Sequence, residues 1–372
     1  MVHSVGAISD MRVWKRRPIS LLLIGSAVAL AVVPTSHRVV ETFYSQQVYL
    51  LAQNLLTLFS SLMPVAWFDV LLLGVLIGMP WVWFRALQRA ALGERWATCR
   101  QMAITTVTAG AVAYLVFFFV WGLNYRREPL TAKLDYEALR INNEALVALA
   151  NEATVSLNRL YPQAHAQRWW TLDEFPAYLG PAFQRVQREL GVQRTAVPGL
   201  PKPTILTPYF QWAGINGMVN PFSLEVLVNT TVLPFERPFV VAHEWAHLAG
   251  YANESEASFV GWLTCLSGDA GARYSAWVFL FPYVVRQFDP EEQGRLWRRV
   301  DDGPMNDFRL VAARVSQAVP VVRTNANRVY DRYLRANRVT DGIASYGAVV
   351  DLVLGSAIGE MAVGAGAADQ FH

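Results

Sequence analysis

The stretch Pro238-Phe-Val-Val-Ala-His-Glu-Trp-Ala-His-Leu-Ala-Gly250 carries two histidines four residues apart, with a glutamate directly after the first. Residues four apart lie on one face of an α-helix, so the imidazoles of His243 and His247 can point at one metal ion. Glu244 follows at the position from which a carboxylate can reach a water bound to that ion. Proline favours the first turn of a helix and glycine favours its end. The stretch therefore predicts a helix of the kind that carries zinc in zinc hydrolases.

The alternative interpretation is a chance pairing of two histidines with a glutamate. The chain has only 6 histidines among 372 residues, which makes a chance match improbable. The residues between and around the two histidines are also uncharged, which suits a desolvated metal helix better than a solvated surface helix. Both observations favour the metal site.

Two glutamates that follow the helix are candidates for a third ligand. Two histidines and one carboxylate form a common catalytic zinc set, which leaves one position for water. Asn253 is a good N-cap for a second helix, and Glu256 then falls where a capping box has its glutamate. Glu254 is left free to turn toward the metal and is the predicted ligand, with Glu256 as the alternative. Both would otherwise form an ordinary acidic helix start, which the helix dipole favours.

The composition indicates that part of the chain lies in lipid. The chain is 53% hydrophobic and only 16% charged, and its mean hydropathy is +0.23. Soluble domains average about a quarter charged residues. Three apolar runs predict transmembrane helices: residues 19–34, 65–84 and 102–123. The first run is short and could instead be a cleaved signal peptide.

Basic residues set the predicted orientation of these runs. A cluster at residues 12–17 precedes the first run, and four arginines lie between the second and the third, at residues 85–100. The segment between the first and second runs has only Arg38 and Glu41 as charged residues. The positive-inside rule then predicts a cytoplasmic N-terminus and an outward-facing C-terminal part. If the first run did not insert, the other two would form a hairpin with both ends inside.

The sequence therefore predicts a transmembrane region over residues 1–124 and an extracytoplasmic domain over residues 125–372. Residues 39–62 are apolar at helical spacing, which predicts an amphipathic helix on the outer membrane surface or against the other segments. Helical patterns and short β-prone runs predict a mostly helical, α+β outer domain: residues 131–160 and 172–191 for helices, and 204–207, 215–219 and 225–231 for strands. Residues 214–218 are the candidate edge strand for an extended peptide, and an ordinary hairpin is the alternative.

Several other residues are candidates for supporting roles. Tyr346, Tyr330 and His165 are candidates for a donor that stabilises an oxyanion, and each could equally be structural. Glu225 is a candidate for a carboxylate that orients a ligand histidine. Cys265 is expected to be a buried apolar residue, with a ligand role as an alternative. Nothing in the charge pattern indicates binding to nucleic acid.

Several blocks of sequence resemble one family. They are the histidine motif and five further blocks: Trp121-Gly-Leu-Asn-Tyr-Arg126, Asn220-Pro-Phe222 with Glu225, Glu254-x-Glu256-Ala257, Asp331-x-Tyr-Leu334 and Ser345-Tyr-Gly-x-Val-Val-Asp-Leu352. Together they resemble an uncharacterised family of bacterial membrane-anchored proteins regarded as zinc metallopeptidases, with a zincin-like domain. One departure is Ser258, where the family pattern has asparagine. The resemblance implies fold and chemistry and is silent on the substrate.

These observations predict a multi-pass protein of the bacterial inner or plasma membrane that hydrolyses peptide or protein substrates. Zn²⁺ would be held by His243, His247 and Glu254, and Glu244 would be the general base. Two alternatives remain open. One is a hydrolase that acts on a non-peptide amide of the cell envelope. The other is a membrane-anchored binding or scaffold protein, whose structural zinc would need a fourth protein ligand such as Cys265 or Glu256.

Overall fold

The computed structural model describes residues 4–339 and 348–368, with side chains for 18–339 and 348–363. The chain is mostly helical, at 72%. Short 3₁₀ turns and one π-helical segment, Val40–Val48, connect or extend the helices. The helices are α1 (Ser4–Val32), α2 (His37–Val39), α3 (Tyr49–Ser61), α4 (Trp67–Arg89), α5 (Arg95–Val120), α6 (Asn143–Ala166), α7 (Phe175–Tyr178), α8 (Gly180–Glu189), α9 (Thr207–Ala213), α10 (Arg237–Leu248), α11 (Glu254–Leu266), α12 (Ala270–Val285), α13 (Pro290–Arg298), α14 (Asp302–Val315), α15 (Pro320–Ala336), α16 (Val349–Gly355) and α17 (Ala357–Ala368). The strands are β1 (Pro201–Lys202), β2 (Gly217–Asn220) and β3 (Glu225–Val228).

The chain divides into two compact units. The first consists of Met1–Ser36 and Val70–Gly122, and the second of His37–Asp69 and Leu123–His372. The predicted boundary at residue 124 lies close to the second junction. Residues 37–69, however, belong to the second unit and not to the membrane region to which the sequence assigned them. The reason is a row of long-range hydrogen bonds from these residues, which local sequence patterns do not reveal.

Two helices are long and apolar enough to cross a membrane, Trp67–Arg89 and Leu92–Val120. They contain most of the predicted runs 65–84 and 102–123. Among the residues whose side chains the structure describes, Pro18–Val32 and His37–Ser61 give a third candidate span when they are taken together, and these two helices meet at a bend of 111°. The prediction of transmembrane helices is thus confirmed in its coarse form, as two or three candidate spans.

The second unit contains a three-stranded sheet in the order β1-β3-β2. β3 lies in the centre with all four residues buried, parallel to β1 and antiparallel to β2. The predicted strands at 215–219 and 225–231 correspond to β2 and β3. The predicted strand at 204–207 is wrong, because a turn there leads into α9, whose Pro208 fits the first helical turn. The sheet is therefore small, and β2 is its half-buried edge next to α10.

Helices form the core of the second unit. Trp245, Trp262 and Trp277, from α10, α11 and α12, are among its largest fully buried side chains. α12 contains most of an apolar run at residues 275–286, and its side chains are largely buried in this unit. The helix predicted from residue 131 begins later, at Asn143, because the Asn142 side chain accepts a hydrogen bond from Ala145 N at 2.9 Å and caps it.

A buried carboxylate ties the sheet to the start of α4. Glu225 on β3 accepts hydrogen bonds from Trp67 N at 3.0 Å and Phe68 N at 2.7 Å, and pairs with Lys202 Nζ at 3.0 Å. Both side chains of the ion pair are almost fully buried, so removing one partner would cost about 3–5 kcal/mol. Glu225 therefore holds a helix N-terminus, and its predicted role beside a ligand histidine is wrong.

Candidate metal centre

The histidine motif lies on α10, whose bounds match the sequence prediction. Pro238 stands in the first turn, and the helix ends at Leu248. Gly250 has a φ of +82°, the left-handed conformation that glycine adopts most readily. The turn it makes sends the chain directly into α11. Most residues of α10 are buried, so the motif lies inside the second unit.

Three ligand atoms converge where α10 meets α11. His243 Nε2 and His247 Nε2 are 3.1 Å apart. Glu254 Oε2 lies 3.3 Å from the first nitrogen and 3.5 Å from the second. In a tetrahedral zinc site with ligand distances of about 2.0–2.2 Å, neighbouring ligand atoms are about 3.3–3.6 Å apart. The two contacts of Glu254 fall within that range, and the contact between the two nitrogens, at 3.1 Å, is slightly shorter.

The chemistry of the three atoms also fits a divalent cation. Within the described residues, Glu254 Oε2 is buried and has no well-aligned hydrogen-bond donor. An anionic oxygen in that situation is costly unless a cation satisfies it. Burial raises the pKa of Glu254, but the two imidazoles outweigh this effect and hold the pKa well below its usual range. The carboxylate is therefore charged, as a metal ligand must be.

Hydrogen bonds on the far side of each ring aim the imidazoles. His247 Nδ1 lies 2.8 Å from Tyr251 O, to which it donates, so Nε2 faces the other ligands. His243 Nδ1 lies 3.3 Å from the Ser258 hydroxyl. Ser258 is the residue that departs from the family pattern, and a serine makes this supporting contact in place of asparagine.

The two candidate glutamates separate clearly. Asn253 caps α11 as predicted, since its side chain accepts a hydrogen bond from Ser255 N at 2.9 Å. Glu254 then turns toward the histidines, and its second oxygen accepts a hydrogen bond from the Tyr330 hydroxyl. Glu256 instead accepts a hydrogen bond from Leu130 N at 2.6 Å and does not close a capping box. The structure thus groups Glu254, and not Glu256, with the histidine pair.

Glu244 is a buried carboxylate that belongs to the same site without being a ligand. Burial raises its pKa to about 8, because the charged form loses its hydration. Its Oε1 lies close to the backbone at Gly217, where a Cβ atom would be only 2.6 Å away. Gly217 therefore allows the start of β2 to pass directly beside Glu244. Sequence analysis included Gly217 in the edge segment but gave no sign of this contact.

The other candidate residues fall in different places. Tyr330 is in the site, through its contact with Glu254. His165 instead bonds Asp307, with Nε2 2.8 Å from Oδ2, on α6 and α14. Cys265 is buried on α11 and is outside the ligand group found among the described residues. Tyr346 lies outside the described residues.

The fold and the site define a mostly helical protein that has two or three candidate membrane spans and a largely buried His-His-Glu cluster. Residues 44–354 match the family described as "Protein of unknown function (DUF3810)", and the chain belongs to that family. No curated protein and no solved structure matches the chain.

The ligand assignment predicts which glutamate is needed for metal. The full-length protein, purified in detergent with zinc and dialysed, should hold about one zinc ion per chain. Glu254→Gln should lose it, because a neutral amide replaces the anionic ligand. The matched change Glu256→Gln should keep it, since its amide oxygen can still accept from Leu130 N. Metal analysis showing loss only in Glu256→Gln would reverse the assignment.

Proposed function

We propose that this protein is a membrane-anchored zinc metallopeptidase. The observation that carries the proposal is the convergence of His243, His247 and Glu254 beside a second buried carboxylate, Glu244, which is not one of the three converging residues. Three protein ligands that leave a position open are typical of catalytic zinc sites, whereas structural sites close the fourth position with protein. A carboxylate next to such a position is the group that hydrolysis requires as a base.

The chain's own groups suit this chemistry. A bound zinc ion would acidify a water molecule and polarise a substrate carbonyl. Glu244 would accept the proton of the attacking water and then deliver it to the leaving amine. A carboxyl whose pKa lies near neutrality can both take and release a proton, and burial supports this for Glu244. Tyr330, whose hydroxyl reaches Glu254 Oε1, would hold that ligand in position.

The position of β2 favours a peptide as the substrate. β2 is the last strand of the sheet, with β3 on one side, so its other edge can pair with an extended chain. Gly217, the first residue of β2, lies against Glu244. A peptide added to this edge would therefore run past the general base. A non-peptide amide of the envelope would use the same ligands and base but would gain nothing from the strand.

The scaffold alternative has less support. A structural site would need a fourth protein ligand, and neither of the two residues that could supply it belongs to the ligand group found among the described residues. Glu256 is bonded to Leu130 N, and Cys265 is absent from the ligand group among the described residues. Glu244, buried beside the ligands, would also have no function in such a site.

The discontinuous second unit supports a proposal for the topology. Because residues 37–69 and 123–339 belong to one compact unit, they must lie on the same side of the membrane. The chain between them therefore crosses an even number of times, in agreement with the two candidate spans. The arginines between these spans place their connection in the cytoplasm, and the second unit outside. Because residues 37–61 belong to the second unit, the predicted N-terminal run 19–34 would cross by itself, with its basic end inside.

The proposed role of Glu244 predicts that a substitution at this residue lowers turnover without changing metal binding. Glu244→Gln should keep the zinc content of the wild type and lower the cleavage rate by about 10²–10⁴-fold, because the amide cannot accept the proton. The assay is cleavage of a fluorescence-quenched peptide mixture by the full-length protein in detergent. Full cleavage by the zinc-loaded variant would remove Glu244 from the mechanism. A zinc-loaded wild type that cleaves an acylated amide but no peptide would favour the envelope alternative.

The contact at Gly217 predicts a second variant in which peptide cleavage falls while zinc binding is kept. Gly217→Ala puts a methyl group 2.6 Å from Glu244 Oε1, which is too close for van der Waals contact, so the carboxylate must move. Zinc content should stay near the wild-type value while peptide cleavage falls by at least about tenfold, the typical lower range for displacing a catalytic group. The control is Gly294→Ala on α13, where the added atom meets only the flexible end of Arg298. Equal activity of the two variants would contradict the proposed contact.

The topology predicts which cysteines an impermeant maleimide can reach in spheroplasts. In a Cys99→Ser background, Glu291→Cys, on an exposed side chain of α13, should be labelled in intact spheroplasts. Gly93→Cys, in the turn between the two spans, should be labelled only after permeabilisation. The reverse pattern would place the second unit in the cytoplasm.

A further inference from the structure

We infer that the helical segment from His37 to Ser61 is a lipid-binding surface of the second unit, on which this unit lies against the bilayer. The segment comprises α2, the π-helical turns and α3. Its buried face is largely polar and its exposed face is largely apolar, which is the reverse of what contact with water would favour.

The polarity of the segment is inverted relative to a water-exposed helix. The side chains that face the second unit are largely polar and buried: Glu41, Ser45, Gln53, Thr57 and Ser60. Between Glu41 and Leu62 the outward side chains are mostly apolar, with Thr42 and Gln47 as the exposed polar ones. The following apolar side chains have 51–77% of their surface exposed: Phe43, Val48, Leu51, Leu55, Leu58 and the adjoining Leu62. A helix on a soluble protein buries its apolar face and exposes its polar one. The segment therefore meets an apolar medium on its outer side.

Charge supports the same conclusion. No charged residue occurs between Glu41 and Asp69. Apolar patches of such length are rare on the water-exposed surface of monomeric proteins and mark contacts with protein or membrane. A protein partner in water would be expected to carry a polar rim around the contact. The stretch between Glu41 and Asp69 has no charged side chain with which to form one. Lipid acyl chains need no rim.

Hydrogen bonds fix the polar face to the second unit, so the outer face cannot turn inward. The Tyr49 hydroxyl donates to Leu248 O at 2.8 Å, and the Thr57 hydroxyl donates to Leu224 O at 2.7 Å. Gln53 exchanges two hydrogen bonds with the backbone of Val197. A free span would have these polar groups in lipid, where each would be costly. The segment therefore packs on the second unit as part of its surface and does not cross the membrane as an isolated helix.

Chain continuity brings this surface to the bilayer. The segment ends at Ser61 and the candidate span α4 begins at Trp67, so only a few residues separate them. The aromatic residues of α9 support this placement: Phe210 packs with Ala66, next to the start of α4. Tyr209 and Trp212 on the same helix are 42% and 48% exposed. Exposed tyrosine and tryptophan beside a span are typical of the membrane–water interface.

The lipid surface bears on the candidate metal site through one contact. Tyr49 bonds the carbonyl of Leu248, the residue that follows His247. The lipid-facing segment thus touches the end of the metal helix. If the protein is the peptidase proposed above, its substrates are polypeptides anchored in or near the same bilayer, because these reach the site without leaving the surface. This second step rests on the proposed function, whereas the lipid contact does not.

Spin labels on the full-length protein test the lipid contact. In a Cys99→Ser, Cys265→Ala background, single cysteines replace Leu51, Leu55 or Leu58, and Glu291→Cys is the matched aqueous control. The labelled protein is reconstituted in phosphatidylcholine–phosphatidylglycerol vesicles, and power saturation measures collision with oxygen and with a water-soluble nickel chelate. Lipid contact predicts high oxygen and low nickel accessibility at the three sites, and high nickel accessibility at residue 291. The measurement needs neither zinc nor turnover.

Two results would overturn the lipid contact. High nickel accessibility at the three sites would show that the face is in water. Low accessibility to both reagents would show that protein covers it, such as a second copy of the chain. Cys265 is fully buried, so each labelled variant must first show the wild-type thermal unfolding and elution profile, and Cys265→Ser serves as the second background.

A separate assay tests the substrate step. One quenched peptide is presented to vesicle-bound protein either free or attached to a lipid anchor in the same vesicles. Confinement to the surface should raise the initial rate for the anchored peptide by about 100-fold, the scale of an effective-concentration gain. Equal rates would overturn the substrate step and leave the lipid contact intact. Cleavage of neither peptide by zinc-loaded protein would overturn the proposed peptidase function, and the substrate step with it.

Discussion

The close packing of α11 on α10 is the constraint on which the metal cluster depends. At Gly261, an added Cβ atom would lie 2.9 Å from His243 N and 3.1 Å from its Cα. The two helices can approach this closely only because glycine has no side chain. That approach brings Glu254, in the first turn of α11, and Ser258, one turn later, to opposite sides of the His243 ring. The ligand and its supporting hydroxyl are thus set by a backbone contact.

A group of buried charges supports the connection between the two helices. Arg127 pairs with Glu41 at 2.9 Å, donates to Ala249 O at 3.2 Å and lies over the Tyr251 ring at 4.8 Å. Lys133 joins the same carboxylate at 3.1 Å. The loop that these residues hold supplies the Tyr251 carbonyl that orients His247. Residues from three distant parts of the chain therefore fix the position of one imidazole, and their charges compensate one another inside the protein.

The parts of the site that the sequence predicted are those with local causes. The helical spacing of the histidines, the end at Gly250 and the cap at Asn253 depend on neighbours within a few residues, and all appear as expected. The contact of Glu256 with Leu130, the approach of Gly217 to Glu244 and the packing at Gly261 join residues far apart in the chain. One sequence holds no periodic signal for such contacts. The same holds for residues 37–69. Their apolar spacing correctly predicted a helix, but the partners of their polar inner face come from residues after 123, which one sequence does not reveal.

The discontinuity of the second unit has a consequence for how the protein is made. The Tyr49 hydroxyl bonds the carbonyl of Leu248, which is synthesised 199 residues later. At a synthesis rate of about 5–20 residues per second, this delay is about 10–40 s. During that interval the residues that bind the polar face of the His37–Ser61 segment have not yet been made. In the topology proposed above, both spans of the hairpin insert before those residues reach the same side of the membrane. Membrane insertion would then come before the candidate metal centre can form, and would act as a checkpoint on its assembly.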